Sequence, residues 1–535
     1  MDYDVVVAGA GPVGLMLACE LRLAGVDVLV VERLTEVDTT VKAGAINSPT
    51  AEAFYRRGLL PELEGIQREN LERFASFTRQ RTAADGQPPA RAPKFAGHFA
   101  GIMLSADLLD GTDPDFAAAG PAGEVGFVAQ ASLELLLARR AAELGVELRR
   151  GVELTGLDTA DDHVVVRLGD ETVRAGWLVG CDGGRSTVRR LAGFDFPGTP
   201  PGITGHQAVV EMEGSERLGA GWNWTPTGTY AHGPVPGRIL TVEFDGPPAD
   251  RDAPVTAEEL QTSLRAVSGV ADVTVTRVHS ATRFTDNARQ ATDYRKGRVL
   301  LAGDAAHVHS PFGGQGLNLG IGDAVNLGWK LAATVRGRAP EGLLDTYTAE
   351  RHPVGAWVLR WTRAQVALMR PESHASALRD VVAELAGTVD ATTYFVKKIS
   401  GVWQRYDIPG DHPLVGRSAP DLELADGSRL ADHLHDGRGV LLDLVGSREA
   451  RALGEAYVPV VSGRCASPQE LGGLLVRPDG IVAWAASDAA AALDALDAAL
   501  ARWFFPTPPL PEPGLRPGPR SSNSPSYRWE VPPRA

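Results

Sequence analysis

Cysteine is scarce in this sequence: its 535 residues include only three, Cys19, Cys181 and Cys465. Three widely separated cysteines supply neither a disulfide framework nor the ligand spacing of a structural zinc site. Long hydrophobic runs are also absent, because the most apolar stretch, residues 5–19, is interrupted by glycine and proline and is too short to span a bilayer. The N-terminus lacks the basic flank of a secretory signal. We therefore expect a cytoplasmic protein without membrane segments or a metal centre.

Positive charge is in deficit. The 53 Lys and Arg residues are outnumbered by 67 Asp and Glu residues, which gives a formal net charge of −14. Neutralising a nucleic-acid backbone requires a basic surface, so nucleic acid is not an expected partner. Hydrophobic residues make up 44% and charged residues 22% of the chain, as is typical of folded domains. The length predicts about two to four domains.

Glycine is abundant, and its first motif lies between an apolar run at residues 4–8 and a helical pattern at residues 15–24. In such a strand, turn and helix, Gly9 permits the tight turn, Gly11 lets the backbone approach a pyrophosphate, and Gly14 lets the helix pack on the sheet. The unpaired N–H groups of the helix start attract an anion. The motif predicts a dinucleotide site.

The next apolar strand, residues 26–31, is followed by Glu32. An acidic side chain at this distance can accept from a ribose 2′-hydroxyl and repels a 2′-phosphate. FAD or NAD therefore fits this motif better than NADP. The alternative, in which the glycines merely form a turn, is disfavoured by the combination of strand, helix and acid.

Two later glycine segments, residues 181–183 and residues 303–304, can close around the same dinucleotide. Asp304 can accept from ribityl hydroxyls. Residues 313–318 offer backbone N–H groups at a helix start, which suits the electron-rich pyrimidine edge of a flavin. Together the three segments indicate bound FAD.

These segments resemble the FAD-dependent aromatic hydroxylases of the para-hydroxybenzoate hydroxylase type, the class A flavoprotein monooxygenases, over roughly residues 1–400. Residues 180–189, Gly-Cys-Asp-Gly-Gly-Arg-Ser-Thr-Val-Arg, are similar to those of the tailoring oxygenases of angucycline, tetracycline and rubromycin antibiotics. Residues 350–353, Glu-Arg-His-Pro, also match the family. The resemblance implies that NADPH or NADH reduces the flavin and that O₂ forms a C4a-(hydro)peroxide. That species would hydroxylate a polycyclic phenol or quinone in a monomeric or homodimeric enzyme.

Three other activities stay open at this point. The same oxygen species could insert oxygen beside a ketone, as in a Baeyer–Villiger reaction, or rearrange a ring. An oxygen-independent flavin oxidoreductase is a second alternative, and a flavin-bound scaffold without turnover is a third.

The order of elements and the resemblance predict an α/β (α+β overall) architecture with a discontinuous, Rossmann-like FAD domain, an inserted and mostly antiparallel sheet domain, and a thioredoxin-like C-terminal domain. Because Cys465 stands alone, no thiol redox activity is expected of the C-terminal unit. The predicted ranges are 1–71, 104–193 and 284–400 for the FAD domain, 72–103 and 194–283 for the substrate-binding sheet domain, 412–505 for the thioredoxin-like domain, and 506–535 for a proline-rich tail.

The resemblance adds residues outside the glycine segments to the cofactor site. It implies that Gln130 reaches the ribityl or flavin region, that Leu154 lies beside the adenine and that Arg33 flanks the adenosine ribose. No catalytic residue is predicted. The predicted cofactor-binding residues are Gly9, Gly11, Pro12, Val13, Gly14, Glu32, Arg33, Lys42, Gln130, Leu154, Asp182, Gly183, Asp304, Pro311, Gly314, Gln315, Gly316, Leu317 and Asn318.

Three positions depart from the family pattern. Lys42 aligns with a usual arginine and lacks its planar fork, which puts flavin positioning through that loop in doubt. Phe312 stands where a small residue is usual, and Gly322 replaces a better helix former at a cost of about 1 kcal/mol. We expect the last two to reshape the pocket.

Aromatic residues on the predicted inserted sheet are candidate substrate contacts, together with Phe312. They alternate along the chain and either present rings to a planar substrate or belong to the core. His307 and His309 are interpreted as structural rather than as metal ligands. The sheet candidates are Trp222, Trp224, Tyr230 and His232.

Overall fold

The computed structural model describes residues 1–40, 42–85, 95–118, 120–233, 235–250, 253–466 and 470–506, with side chains at all of these except 73–85 and 117. No helix in these ranges is long and apolar enough to cross a membrane. The strands are β1 (Tyr3–Ala8), β2 (Val28–Glu32), β3 (Phe95–Phe99), β4 (Ile102–Ser105), β5 (Glu147–Arg150), β6 (Leu154–Thr159), β7 (Val164–Leu168), β8 (Glu171–Gly180), β9 (Gly198–Thr199), β10 (Thr204–Glu213), β11 (Gly221–Thr225), β12 (Gly228–His232), β13 (Arg238–Glu243), β14 (Thr274–Phe284), β15 (Ala288–Gln290), β16 (Arg295–Lys296), β17 (Val299–Leu301), β18 (His307–Val308), β19 (Val440–Asp443), β20 (Val460–Ser462), β21 (Gly473–Val476) and β22 (Val482–Ala486). The helices are α1 (Pro12–Leu23), α2 (Ser48–Tyr55), α3 (Leu60–Asp85), α4 (Pro114–Ala117), α5 (Gln130–Glu143), α6 (Thr187–Leu191), α7 (Ala257–Ser268), α8 (Gln315–Val335), α9 (Thr346–Met369), α10 (Ser373–Ala386), α11 (Val389–Ser400), α12 (Arg448–Glu455) and α13 (Leu493–Trp503).

The first sheet has eight strands, with the path β16-β17-β8-β1-β2-β5 and with β6 and β7 joined to β8. Its central strands are parallel, and the run from Val5 to Val7 is fully buried, as expected of strands covered on both faces. Ala8 and Leu301 both lie opposite Gly180 in the register. The carboxyl ends of β1, β8 and β17, each followed by one glycine segment, therefore lie side by side.

An antiparallel sheet with the order β11-β12-β13-β10-β14 is inserted between the segments of the first sheet. One face packs on α7 through Leu260, Leu264 and Val267. The opposite face carries Leu240 and Val242, which belong to a cluster with Phe312 and with Trp361 and Val366 of α9. The predicted discontinuous α/β domain with an inserted, mostly antiparallel sheet is confirmed.

The C-terminal unit contains a four-stranded sheet with the order β20-β19-β21-β22. β19 and β20 are parallel, whereas β21 is antiparallel to both β19 and β22. The turn at residues 478–480 joins β21 and β22 as an antiparallel hairpin. This topology is compatible with a thioredoxin-like unit, which stays a prediction.

Three of the predicted domain boundaries fall inside regular elements. α3 continues past residue 71, β4 spans the boundary at 103/104, and β14 spans the boundary at 283/284. Regular elements therefore cross the predicted boundaries at these points, and the division into domains stays a prediction. The predicted tail lies outside the described residues from residue 507 onward.

Candidate active site

Two glycines of the first motif make room for neighbouring backbone. A β-carbon at Gly9 would lie 2.4 Å from the carbonyl oxygen of Cys181, and one at Gly14 would lie 2.0 Å from the carbonyl oxygen of Gly9. Gly9 also has φ +104°, a conformation that favours glycine. Both residues therefore serve the close packing of α1, its turn and the end of β8.

Other glycines at the same edge face open space. A β-carbon at Gly11, Gly183 or Gly314 would meet no atom within 4 Å. Beside them, Asp182 Oδ2 accepts from the backbone N–H of Thr187 at 2.7 Å, while the buried Asp182 Oδ1 has no partner among the described residues. Open backbone from three segments and an orphaned carboxylate oxygen fit a dinucleotide with ribityl and pyrophosphate groups.

Glu32 is held at the end of β2 by backbone donors on both sides. Its Oε2 accepts from Ala10 N–H at 2.8 Å, and its Oε1 accepts from Leu34 N–H at 2.9 Å. The Glu32 carbonyl accepts from Val152 N–H at 2.9 Å, which brings the buried Leu154 to the same strand end. Arg33 is exposed beside it. The fold thus brings together Glu32, Arg33 and Leu154, the residues predicted to contact the adenosine of FAD. Their contact with FAD stays a prediction.

Lys42 forms an ion pair within its own loop. Its Nζ lies 2.8 Å from Asp38 Oδ2. Partial burial raises the pKa of Asp38, but hydrogen bonds from Lys42 and Thr40 outweigh this effect and lower the pKa to about 2. The same loop is joined to α5, because the N–H of Gln130 donates to the Ala43 carbonyl at 2.9 Å. The family's arginine position is therefore occupied by a cation already engaged with a neighbouring carboxylate.

The start of α8 is tied to that loop by Asn318. Its Nδ2 donates to the Gly314 carbonyl at 2.8 Å, and its Oδ1 accepts from Asn47 N–H at 2.9 Å. Gln315 Nε2 donates to the Gly313 carbonyl at 2.9 Å. Side-chain bonds therefore shape the turn and leave the first N–H groups of the helix facing the cleft. Pro311, Gly316 and Leu317 lie in the same turn and first helical residues.

The loop at residues 303–304 rests on Asp323, a residue that sequence reasoning did not select. Asp323 Oδ2 accepts from Gly303 N–H at 3.0 Å and from His307 Nε2 at 2.7 Å, and Oδ1 accepts from Arg351 Nε at 2.8 Å. Burial raises the pKa of Asp323, but the charges of His307 and Arg351 outweigh this effect and lower the pKa. Asp323 is an ionised anchor beneath the loop, while Asp304 is exposed above it.

The interpretation of Gly322 as a residue that reshapes the pocket is wrong. A β-carbon at this position would lie 2.6 Å from Arg351 Nη2. Glycine is needed there to admit the guanidinium that pairs with Asp323. Val13 also has a packing role, because a β-carbon at Gly303 would lie 3.1 Å, and one at Gly320 2.5 Å, from Val13 Cγ2.

Two family profiles match this chain. One, described as an FAD binding domain, covers residues 2–362, and the other, described as an aromatic-ring hydroxylase C-terminal region, covers residues 412–506.

The chain belongs to the FAD-binding aromatic-ring hydroxylase family.

It is a flavin-dependent monooxygenase whose cofactor is FAD, as the resemblance predicted. The structure of the anhydrotetracycline hydroxylase from Streptomyces rimosus is similar, with a TM-score of 0.79 and 40% identity over 95% of this chain and 100% of that one. A rifampicin monooxygenase of Streptomyces venezuelae is 43% identical over 91% of this chain and 96% of its own length. A dialkyldecalin synthase of Streptomyces rugosporus is 39% identical over 95% and 100%, respectively.

The inserted sheet of this hydroxylase divides the predicted substrate residues between its two faces. Trp222 lies opposite Ala231, whereas Tyr230 lies opposite Asn223. Paired residues of an antiparallel sheet share a face, so Trp222 and Tyr230 point in opposite directions. Tyr230 is buried in the cluster under α7. His232, two residues along the same strand, faces the same way as Tyr230, and the substrate role of both stays a prediction.

Phe312 packs against Trp222 on the face of the inserted sheet that carries Leu240 and Val242. Their ring centroids are 6.4 Å apart in an edge arrangement, and Phe284 lies 5.7 Å from Phe312 in a T-shaped contact. Trp222 also lies 5.2 Å from the ring of His98. Trp224 shares this face and packs beneath the hairpin turn at Gly101. The hairpin residues were not found from the sequence because no motif marks them.

The two histidines of the 303–310 loop have hydrogen-bond partners within the protein. His307 Nε2 is paired with Asp323, and His309 Nδ1 lies 2.7 Å from the Ser310 carbonyl. Within the described ranges, no group of three potential ligands could hold a metal ion.

Replacing Gly11 with alanine is expected to leave folding intact and to weaken FAD binding. The residue has φ −70° and open space beside it, so the change in unfolding free energy should stay within about 0.5 kcal/mol. The added methyl occupies the approach of the pyrophosphate and should lower FAD affinity at least tenfold, or about 1.4 kcal/mol. Thermal unfolding of FAD-depleted protein and an FAD fluorescence titration measure the two effects.

Gly14→Ala is the matched control. Its methyl would overlap backbone, so it should destabilise the fold by roughly 1–3 kcal/mol. Wild-type FAD affinity in Gly11→Ala would contradict the assignment of the open space to the pyrophosphate.

Proposed function

We propose that this monooxygenase hydroxylates a polycyclic phenolic or quinone ring in the biosynthesis of an aromatic polyketide, with NADPH or NADH as reductant. The observation that carries the proposal is the aromatic cluster on one face of the inserted sheet, where Trp222 and Phe284 pack against Phe312 of the turn before α8. Planar rings stack or pack edgewise on such a surface. The relatives named for tetracycline and rifampicin oxidation support this substrate class.

The reaction balances as ring C–H + O₂ + NAD(P)H + H⁺ → ring C–OH + H₂O + NAD(P)⁺. FAD, when bound, supplies two-electron reduction and the activation of O₂. The open backbone at Gly11, Gly183 and Gly314 binds the cofactor, and the Asp323 anchor holds the loop of Asp304 against it. The aromatic face orients the ring and excludes water. No described side chain is assigned as the proton acceptor.

Incorporation of ¹⁸O tests the proposal. The purified, FAD-loaded enzyme is incubated with NADPH, ¹⁸O₂ and a panel of anhydrotetracycline, rifampicin and polycyclic naphthoquinones. We expect NADPH consumption to accelerate with at least one ring compound and its product to gain 18 mass units from hydroxylation with ¹⁸O.

A cytoplasmic location and a monomeric or homodimeric state are part of the proposal.

Unlabelled product would contradict oxygenation and would favour an oxygen-independent activity, for which the relative named as a dialkyldecalin synthase, not as an oxygenase, gives a specific reason. Labelled product with oxygen inserted between ring carbons would favour the Baeyer–Villiger alternative.

A further inference from the structure

One cation lies on the cofactor-facing side of the inserted sheet. Arg238 opens β13 and pairs with Val209 of β10, on the same face as Leu240 and Val242. Its guanidinium reaches the loop after β2, since a β-carbon at Gly44 would lie 4.0 Å from Arg238 Nη1. Arg238 therefore stands where the sheet meets the cofactor domain, at the edge of the aromatic face.

Within the part of the chain that the structure describes, the Arg238 guanidinium has no hydrogen-bond or ion-pair partner. The Arg238 side chain is half-buried, so its charge loses part of its hydration with no carboxylate in contact among the described residues, which has an energetic cost. The same partial burial lowers the pKa of the guanidinium. A ligand that brings an anion would remove that cost.

A second polar group on the same face also has no partner among the described residues. Gln207 lies opposite Leu240, and its side chain is placed one step diagonally from Arg238 across β10 and β13. Diagonal neighbours in an antiparallel pair are about 7–8 Å apart, within reach of one ligand group. Gln207 is only 9% exposed, although a carboxamide carries two donors and an acceptor.

We propose that Arg238 and Gln207 form a subsite for an anionic oxygen on the polycyclic substrate: a carboxylate, an enolate or a phenolate at the edge of the ring system. Arg238 binds the charge with its planar fork, and Gln207 donates to the same group or its neighbour. The rings then extend from this edge over Trp222 and Phe312. This inference rests on the proposed function and assigns its substrate a charged edge and an orientation.

The test compares binding of two probes of equal shape, anthraquinone-2-carboxylate and anthraquinone-2-carboxamide, to the FAD-loaded enzyme without reductant. Equilibrium dialysis at neutral pH gives the two dissociation constants. Wild type should bind the carboxylate about 10- to 100-fold more tightly than the carboxamide. Arg238→Gln should abolish this preference by weakening the carboxylate alone, and Gln207→Leu should reduce it about two- to tenfold.

Arg277→Gln is the matched control, because Arg277 lies on the same sheet with its side chain 68% exposed. It should keep the wild-type preference, and FAD content and melting temperature confirm the fold of each variant. Three results would overturn the subsite. Arg238→Gln could lose affinity for both probes equally, it could keep the wild-type preference for the carboxylate, or the wild type itself could fail to prefer the carboxylate. Because no turnover is measured, this result is independent of whether ¹⁸O enters any product.

Discussion

Arg477→Met is expected to lower the free energy of unfolding by about 3–5 kcal/mol. Arg477 is fully buried in the C-terminal unit and donates to both carboxylate oxygens of Glu350 on α9, at 2.7 and 2.8 Å. It also pairs with Asp479, while Lys330 of α8 donates to Glu350 at 2.8 Å. Burial raises the pKa of Glu350, but the charges of Arg477 and Lys330 outweigh this effect and lower the pKa. Without Arg477, two buried acids share one remaining ammonium.

Urea unfolding of the FAD-loaded protein, followed by circular dichroism, measures the loss. Arg438→Met is the control, since Arg438 is 68% exposed and pairs with Asp436 at the surface. A surface pair of this kind contributes about 1 kcal/mol or less. If the two variants were equally stable, the buried network would not join the C-terminal unit to the cofactor domain in the way the contacts indicate.

Asp323→Ala is expected to destabilise the protein by a similar amount, about 3–5 kcal/mol, and to weaken FAD binding at least tenfold. The substitution leaves the guanidinium of Arg351, which is 1% exposed, without its carboxylate. It also removes the acceptor for Gly303 N–H and for His307. The loop that presents Asp304 would then lose its anchor. Urea unfolding measures the first effect, and the rise in flavin fluorescence on dilution measures the second.

Asp345→Ala is the control for Asp323→Ala. Asp345 is 72% exposed and pairs with Arg295, so its removal should cost about 1 kcal/mol or less and leave FAD affinity unchanged. If Asp323→Ala proves too unstable to purify, Asp323→Asn keeps one acceptor oxygen and should still release FAD more readily than wild type. Wild-type FAD affinity in Asp323→Asn would contradict the anchoring role.

The substrate residues show why face assignments failed at the sequence level. Trp222, Trp224, Tyr230 and His232 all have even numbers, and period-two alternation along one continuous strand would place them together. The turn between β11 and β12 instead pairs residue 222 with residue 231. Even-numbered residues of the two strands therefore face opposite sides, and this register depends on a turn that the sequence did not specify.

Gly322 illustrates a second limit. Helix propensity treats glycine within a helix as a loss of stability, because propensity describes a residue and its neighbours along the chain. The space beside Gly322 is taken by Arg351, which lies on a different helix. The benefit of glycine at this position is a tertiary contact and has no local signal.

The sequence by itself determined the cofactor and the arrangement of a discontinuous domain, because each glycine segment combines a strand, a turn and a phosphate- or flavin-facing backbone within a few residues. The reaction class was implied by the resemblance of those segments to a known family. The tertiary structure decided which carboxylate supports those segments, which aromatic side chains share a face of the inserted sheet, and where Arg238 lies. These features depend on pairing register and on contacts between residues far apart in the chain. Local patterns carry little information about such contacts.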